Sequence, residues 1–247
     1  MKKLILLTLF LLPLLTFSQT QLGSDIDGEA ASDQSGYSVS IDSDGSHVAI
    51  GAIQNDGTAN NAGHVRIFEY SSSSWNQVGN DIDGEATWDQ SGYSVSIDSD
   101  GSHVAIGATG NDGNGSISGH VRIYSWGGSA WTQVGSDIDG EAASDYSGVS
   151  VSIDSDGSHV AIGAYGNDGN GSDSGHVRIY SWDGSAWNQL GNDIDGEAAG
   201  DYSGYSVSID SDGSHVAIGA YTNDGGGNNS GHVRIYEYSS GSWSQVG

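Results

Sequence analysis

Carboxylates dominate the reactive side chains of this chain. Asp25, Asp27, Glu29 and Asp33 fall within nine residues, and the set returns as Asp81, Asp83, Glu85 and Asp89, as Asp137, Asp139, Glu141 and Asp145, and as Asp193, Asp195, Glu197 and Asp201. Two carboxylates ~4 Å apart repel by about 1 kcal/mol in water and by about 4 kcal/mol at an effective dielectric near 20. Four in one short loop therefore need a cation, a donor-rich turn or full solvation. Calcium is the natural cation, being hard and satisfied by carboxylate and carbonyl oxygens, so these residues are the candidate metal ligands. Their D-x-D-G-E spacing departs from the helical calcium loop, which needs D-x-D-x-D-G and a distal Glu. The competing reading is a solvated loop whose Asp side chains accept backbone N–H groups.

A second polar phrase gives the candidate ligand-binding residues: Asn55 and Asp56, repeated as Asn111 and Asp112, Asn167 and Asp168, Asn223 and Asp224. It opens the loops that vary most, with Thr58 to Ala62 set against Asn114 to Ser118. Histidine comes as His47 and His64 and their repeats; these two fall at opposite ends of neighbouring strands, so a shared ion is not expected, and hydrogen-bonded rings at strand edges are. Arg66, Arg122, Arg178 and Arg234 are the only Lys or Arg beyond residue 3. Mid-strand beside many carboxylates, their forks suit salt bridges or hydrogen bonds between units. Tyr37, Tyr70, Trp88, Trp126 and Trp182 would stack on sugar rings if exposed and fill the core if not. Trp88 stands apart, because the other units have Ser or Gly at its place. Catalysis usually needs unlike residues converging once, whereas this chain offers four copies of each candidate. A non-enzymatic protein is expected.

The elements that position these residues follow from one period. The D-I-D-G-E-A phrase, the histidines and Trp75, Trp131, Trp187 and Trp243 all recur every 56 residues, in units 24–79, 80–135, 136–191 and 192–247. A period of this length suits a propeller blade better than a solenoid turn. Gly36 to Ile41 alternates large apolar residues with Ser, the pattern of a strand. Asp42 to Gly45 is a tight turn. Ser46 to Ala52 and His64 to Tyr70 read as strands two and three around a Gly/Asn/Asp loop, and Ser74 to Val78 as strand four. The acidic segment then loops into the next unit. With 40 Gly and no long helical period, helices are not expected. In such a meander the acidic loop and the Asn-Asp loop emerge on one face, where a binding site belongs. Val39, Ile41, Val48, Ile50, Val65, Ile67 and Trp75 are the expected core, and neighbouring units must stack to bury it.

Four stretches of the first unit, Ser35-Gly36-Tyr37-Ser38-Val39, Asp42-Ser43-Asp44-Gly45, Ala49-Ile50-Gly51-Ala52 and Gly63-His64-Val65-Arg66-Ile67-Phe68, resemble the FG-GAP repeat, the blade unit of integrin-α-like β-propellers, in the form of its bacterial members. The resemblance recurs in every unit. It implies an all-β, β-propeller-type array of four four-stranded blades, and a role in binding or adhesion. Ser35 stands where the family has Phe, and Ile53, Thr109, Tyr165 or Tyr221 where it has Pro. The family's D-x-D-x-D-G calcium loop is shortened here to D-S-D-G, so its calcium ligands do not carry over. The family ring usually has seven blades; four units allow an open arc, a small closed ring or a part of something longer.

Residues 1–18 read as a secretory signal peptide: Lys2 and Lys3, an apolar run Leu4 to Phe17 broken by Pro13, and small residues before Gln19. Residues 19–247 then form the repeat array, secreted or held at the cell surface, with no membrane insertion after cleavage. The chain has no Cys, which excludes disulfides, thiolate zinc sites and cysteine nucleophiles. A net charge of −26 disfavours nucleic acid and anionic membrane surfaces as partners. An extracellular protein or glycan ligand, calcium as a stabilising ion, and self-association through open blade edges are the expected partnerships. The alternatives are a passive spacer within a larger exported protein and, third, an exported hydrolase on a propeller scaffold.

Overall fold

Alternation of Tyr, Val and Ile with Ser puts every second side chain of Ser35–Ile41 on one face, and the segment forms β1. The turn after it is set by Gly45 at φ 76°, and the chain returns as β2 (His47–Ala52), which pairs antiparallel with β1 from Ile41↔Val48 to Ser35↔Ala52. β3 (His64–Ser71) pairs with β2, and β4 (Ser74–Gln77) with the far end of β3. This is a computed structural model, and it describes residues 20–247; the signal-peptide reading of residues 1–18 lies outside them. Among the described residues there is no helix, and so none long and apolar enough to cross a membrane.

The D-I-D phrase corrects the sequence reading, which left it in a loop. Ile82–Asp83 is a short strand, β5, paired with the near end of β3 through His64↔Asp83 and Val65↔Ile82. The reason is Ile82, the apolar residue between the acids: it is 5% exposed and joins the core between the first two blades. The outer edge of blade 1 thus runs through β4 and on into β5, past the end of the 56-residue unit. Blade 2 repeats the pattern as β6 (Ser91–Ile97), β7 (His103–Ala108), β8 (His120–Trp126), β9 (Trp131–Gln133) and β10 (Ile138–Asp139). Blade 3 does so as β11 (Ser150–Ile153), β12 (His159–Ala164), β13 (His176–Trp182), β14 (Trp187–Gln189) and β15 (Ile194–Asp195). Blade 4 has the four strands β16 (Ser203–Ile209), β17 (His215–Ala220), β18 (His232–Ser239) and β19 (Ser242–Gln245).

The cores lie between blades. Ala49, Val65 and Ile67 of blade 1 pack on Val95, Ile97, Val104 and Ile106 of blade 2, and the same face-to-face contact is made twice more. First strands meet first strands, β1 with β6 and β6 with β11 and β11 with β16, so they line the inside of the arc. Gly51 makes this approach possible, because a Cβ there would overlap the Gly92 carbonyl oxygen. Ser38 Oγ donates to that carbonyl at 2.6 Å. On the outside, Trp131 Nε1 reaches back to Val78 O at 2.8 Å and Arg122 Nη2 to Asp83 O at 2.7 Å. The arginine bond runs from blade to blade, as expected of the arginines, because Asp83 lies on the β5 strand of blade 1 although it shares a 56-residue unit with Arg122.

The array is open. Val39 and Ile41, expected in the core, are 64% and 60% exposed, while their equivalents Val95 and Ile97 are 8% and 7% exposed. Among the described residues nothing covers that face of blade 1. Val233 and Ile235 are likewise uncovered on the far face of blade 4.

Candidate functional site

The short-turn face binds its own residues together. Asp42 Oδ2 meets His47 Nδ1 at 2.8 Å, and Ser46 Oγ meets both, at 3.0 Å from each. A Ser, a His and an Asp thus converge in every unit. They lack the relay of a hydrolase, in which the hydroxyl and the carboxylate sit on opposite ring nitrogens; here both crowd Nδ1. The other Asp of the turn, Asp44, accepts Ser46 N at 2.9 Å. One oxygen of each D-S-D-G carboxylate is thus bound within the turn, as expected of a hydrogen-bonded His47.

The long-loop face carries the acidic residues, and the four of one loop part company. Asp33 Oδ2 accepts Ala30 N at 3.1 Å and Asn55 Nδ2 at 3.0 Å; Asp89, Asp145 and Asp201 do the same for Asn111, Asn167 and Asn223. The acidic loop and the Asn-Asp loop therefore do meet. Each Asn also turns its Oδ1 to the backbone two residues on, as Asn55 does to Gly57 N at 2.8 Å. Asp56, Asp112, Asp168 and Asp224 each accept a backbone N–H five residues ahead. Asp25, Asp81, Asp137 and Asp193 hold a Gln amide four residues behind them. Asp27, Asp83, Asp139 and Asp195 give their backbone carbonyls to Arg66, Arg122, Arg178 and Arg234.

Glu29 goes a different way. It lies 3.9 Å from His64 Nδ1, and Asp81 lies 3.7 Å from the same nitrogen. Glu85, His120 and Asp137 repeat the group, as do Glu141, His176 and Asp193. Each is a group suited to a metal ion, and none was visible as a spacing: the acids come from successive units and β5 brings the second one round to β3. The apolar Ile82 between two acids is the residue in the sequence that marks this pairing. His64 also corrects the expectation of a hydrogen-bonded strand-edge ring, since it is 1% exposed and neither ring nitrogen has a hydrogen-bond partner. Burial, with the Arg two residues on as the next cause, holds His120 and His176 down at about 4, against the pull of the acids. Burial likewise raises Glu85 and Glu141.

A second grouping occupies the inner part of the same face. Tyr146 stacks on Tyr165 at 4.9 Å, Tyr165 meets Tyr202 and Tyr205, and Tyr221 packs on Tyr202 and Tyr205. Tyr37 and Tyr93 pair nearby at 5.1 Å. Most of this cluster breaks the repeat: Tyr165 and Tyr221 replace Ile53 and Thr109, and Tyr146 and Tyr202 replace Gln34 and Gln90. Trp88, 55% exposed, stands beside it with φ 69°, a left-handed backbone that costs a bulky residue of order 1 kcal/mol or more. Between Trp88 and Tyr146 lies a cavity of ≈ 380 Å³, lined also by Gln90, Thr109, Asp112 and Ile117. Burial, then neighbouring Tyr146, pushes the Tyr165 phenol up to about 12, so it stays neutral. Tyr70, Trp126 and Trp182 pair instead with the fourth-strand tryptophans at the outer rim, at 5.2–5.5 Å.

Four stacked antiparallel sheets, joined around an inner edge and bare at both ends, define an open propeller-like repeat array. The FG-GAP repeat model matches residues 136–180 and 194–236, and the 56-residue period carries the same phrases through the other two units. No curated protein matches the sequence significantly. Among solved structures the chain is similar to a candidate 6-phosphogluconolactonase from Bacteroides uniformis, with a TM-score of 0.57 and 9% identity over 85% of this chain and 52% of that one. It is similar also to the periplasmic gluconolactonase PpgL of Pseudomonas aeruginosa, with a TM-score of 0.55 and 12% identity over 85% and 56%. The chain thus spans about half the length of these structures, and at such identities the likeness is one of fold.

Proposed function

We propose that the chain is an exported, non-enzymatic binding or adhesion module whose ligand is a neutral glycan held on the aromatic part of the long-loop face. One observation carries this reading: aromatic side chains that depart from the repeat gather at one place and stay partly exposed, with Trp88 and Tyr221 near half-exposed beside Tyr205, which keeps the repeat. Stacked, uncharged rings beside Gln, Thr and Asp groups suit sugar faces and hydroxyls, since an aromatic face offers apolar contact and the polar rim fixes orientation. The surrounding negative charge favours a neutral ligand over an anionic one. Glycan-array screening of the full chain should find binders, and Trp88→Ala should weaken them at least tenfold. A screen with no glycan bound, or binding indifferent to Trp88→Ala and Tyr221→Ala, overturns the proposal; capture of a protein ligand alone would replace the glycan.

A second reading, a structural segment within a longer stack, is favoured by the bare end faces at Val39 and Ile41 and at Val233 and Ile235. Lactonase activity is not carried over from the two lactonase-named structures, because a shared fold does not carry a site.

A further inference from the structure

We propose that each of the first three blades holds a divalent transition-metal ion of the zinc class, bound by one histidine and two carboxylates from successive acidic loops: Glu29, His64 and Asp81; Glu85, His120 and Asp137; Glu141, His176 and Asp193. In each set the donor atoms lie within 4.8 Å of one another. The separations from Nδ1 run from 3.7 to 4.0 Å. That is too long for a hydrogen bond, whose N···O distance is about 2.9 Å, and close to the spacing of two ligands around one ion. Donors at ~2.1 Å from zinc stand roughly 3.4 Å apart in a tetrahedron. Each carboxylate needs to approach Nδ1 by only a few tenths of an ångström; Glu29 is 43% and Asp81 29% exposed, and Asp81 holds the Gln77 amide through Oδ1, which leaves Oδ2 for the ion.

The buried histidine is the independent observation. His64 and His176 are each 1% exposed, and no hydrogen bond reaches either ring nitrogen of either residue. Leaving a buried polar group unpaired costs about 1–3 kcal/mol, and here the unpaired Nδ1 faces two acids. An ion between them would satisfy all three groups together. An imidazole donor selects zinc, copper or nickel over calcium and magnesium, which prefer oxygen throughout. The second oxygen of the Glu lies 3.5 Å from Arg122 Nη1 in blade 2, and Arg122 is itself fixed on Asp83 O, so the arginine orients the carboxylate as an outer-shell partner. The exposed side of each group leaves the remaining coordination position to water. In blade 4, Glu197 stands 3.6 Å from His232 Nδ1 with no second carboxylate in reach among the described residues. The Asp210, Asp212 and His215 group is a separate case, because Asp210 already hydrogen-bonds His215.

The proposal does not rest on the glycan reading, and its test reads metal alone. The full chain is stripped with chelator and titrated with zinc by calorimetry, and with cobalt by visible absorption. Three equivalents should bind per chain. Asp81→Asn, which alters a half-buried side chain at the rim of the group, should bind two, and the triple variant Asp81→Asn/Asp137→Asn/Asp193→Asn should bind none. His47→Gln, on the opposite face, should keep three. Absence of saturable binding overturns the proposal, as does a stoichiometry that Asp81→Asn leaves unchanged, or calcium displacing zinc at equal concentration.

Discussion

Ile123 and Ile235 are the same residue of the repeat in two surroundings, and the open array makes them respond differently to one substitution. Ile123 is 1% exposed, because the face of blade 2 that carries it is covered by blade 3; Ile235 is 47% exposed on the far face of blade 4. Truncating a fully buried Ile to Ala costs about 2–5 kcal/mol, the lost transfer energy plus the cavity left behind. At the half-bare position much of the side chain never left water and no enclosed cavity forms, so the cost should be at most about 1 kcal/mol. The assay is urea denaturation of Ile123→Ala and Ile235→Ala followed by tryptophan fluorescence, since every blade carries its own fourth-strand Trp. Ile123→Ala should move the midpoint well below the parent, and Ile235→Ala should barely shift it. Equal costs at the two positions would refute the open arc: the far face would then be covered, by closure on blade 1 or by a second copy. Sedimentation of the parent at two concentrations separates these, because only association depends on concentration.

The other expectations concern the turns and the latches. The ring of His159 donates a hydrogen bond to Asp154, which raises its pKa against the opposing pull of burial, and Asp154 is in turn lowered, because the bonds it accepts from His159 outweigh the burial that would raise it. The pair's stabilisation should be fully present between the ordinary Asp and His values of about 3.9 and 6.5. It should fade as pH falls through the lowered Asp value and as pH rises through the raised His value; NMR titration should place His159 above 6.5, and Asp154→Asn should bring it down. Replacing Arg122 by Lys keeps the charge but loses the fork that reaches Asp83 O. It should cost about 1–3 kcal/mol in denaturation, and no loss would show the latch to be idle. Gly107→Ala should disrupt the inner edge, because a Cβ there would overlap the Gly148 carbonyl oxygen; a circular dichroism melt equal to the parent's would contradict that packing.

The fold was legible because the repeat presents its strand signals four times, and the alternation in Gly36 to Ile41 and the turn at Gly45 both map onto observed elements. The core list erred at Trp75, which is half-buried at the outer rim in every unit, and at the ends of the array, where repetition misleads. Val39 and Val95 are identical in their units, yet one faces water, because burial here depends on a neighbour. The site was less legible for a related reason. Crowded acids such as Asp25, Asp27, Glu29 and Asp33 read as one cluster, but the backbone distributes them to a Gln amide, a carbonyl latch, a buried His and an Asn cap. Proximity in sequence predicted a loop face correctly and a shared ligand set poorly. What joins Glu29 to Asp81 is the return of β5 to β3, a pairing of two residues that only tertiary packing of Ile82 secures.

Repetition also decides where to look for function. A position identical in all four blades answers first to stacking: Trp131 to Val78 O, Arg122 to Asp83 O and Ser38 to Gly92 O are joints that any added blade would need. A ligand met once needs a surface met once, and only departures from the period can supply it. Trp88, Tyr146, Tyr165, Tyr202 and Tyr221 are such departures, and they lie together on the loop face, with the strain of a left-handed Trp88 retained. The His-centred groups obey the opposite logic, since they recur with the blades and reach across each blade from the incoming loop to the outgoing strand. An ion there would brace the stack whatever the face binds. Stability and recognition are thus written in different residues of the same loops, so Trp88→Ala should leave metal stoichiometry untouched and Asp81→Asn should leave glycan affinity unchanged.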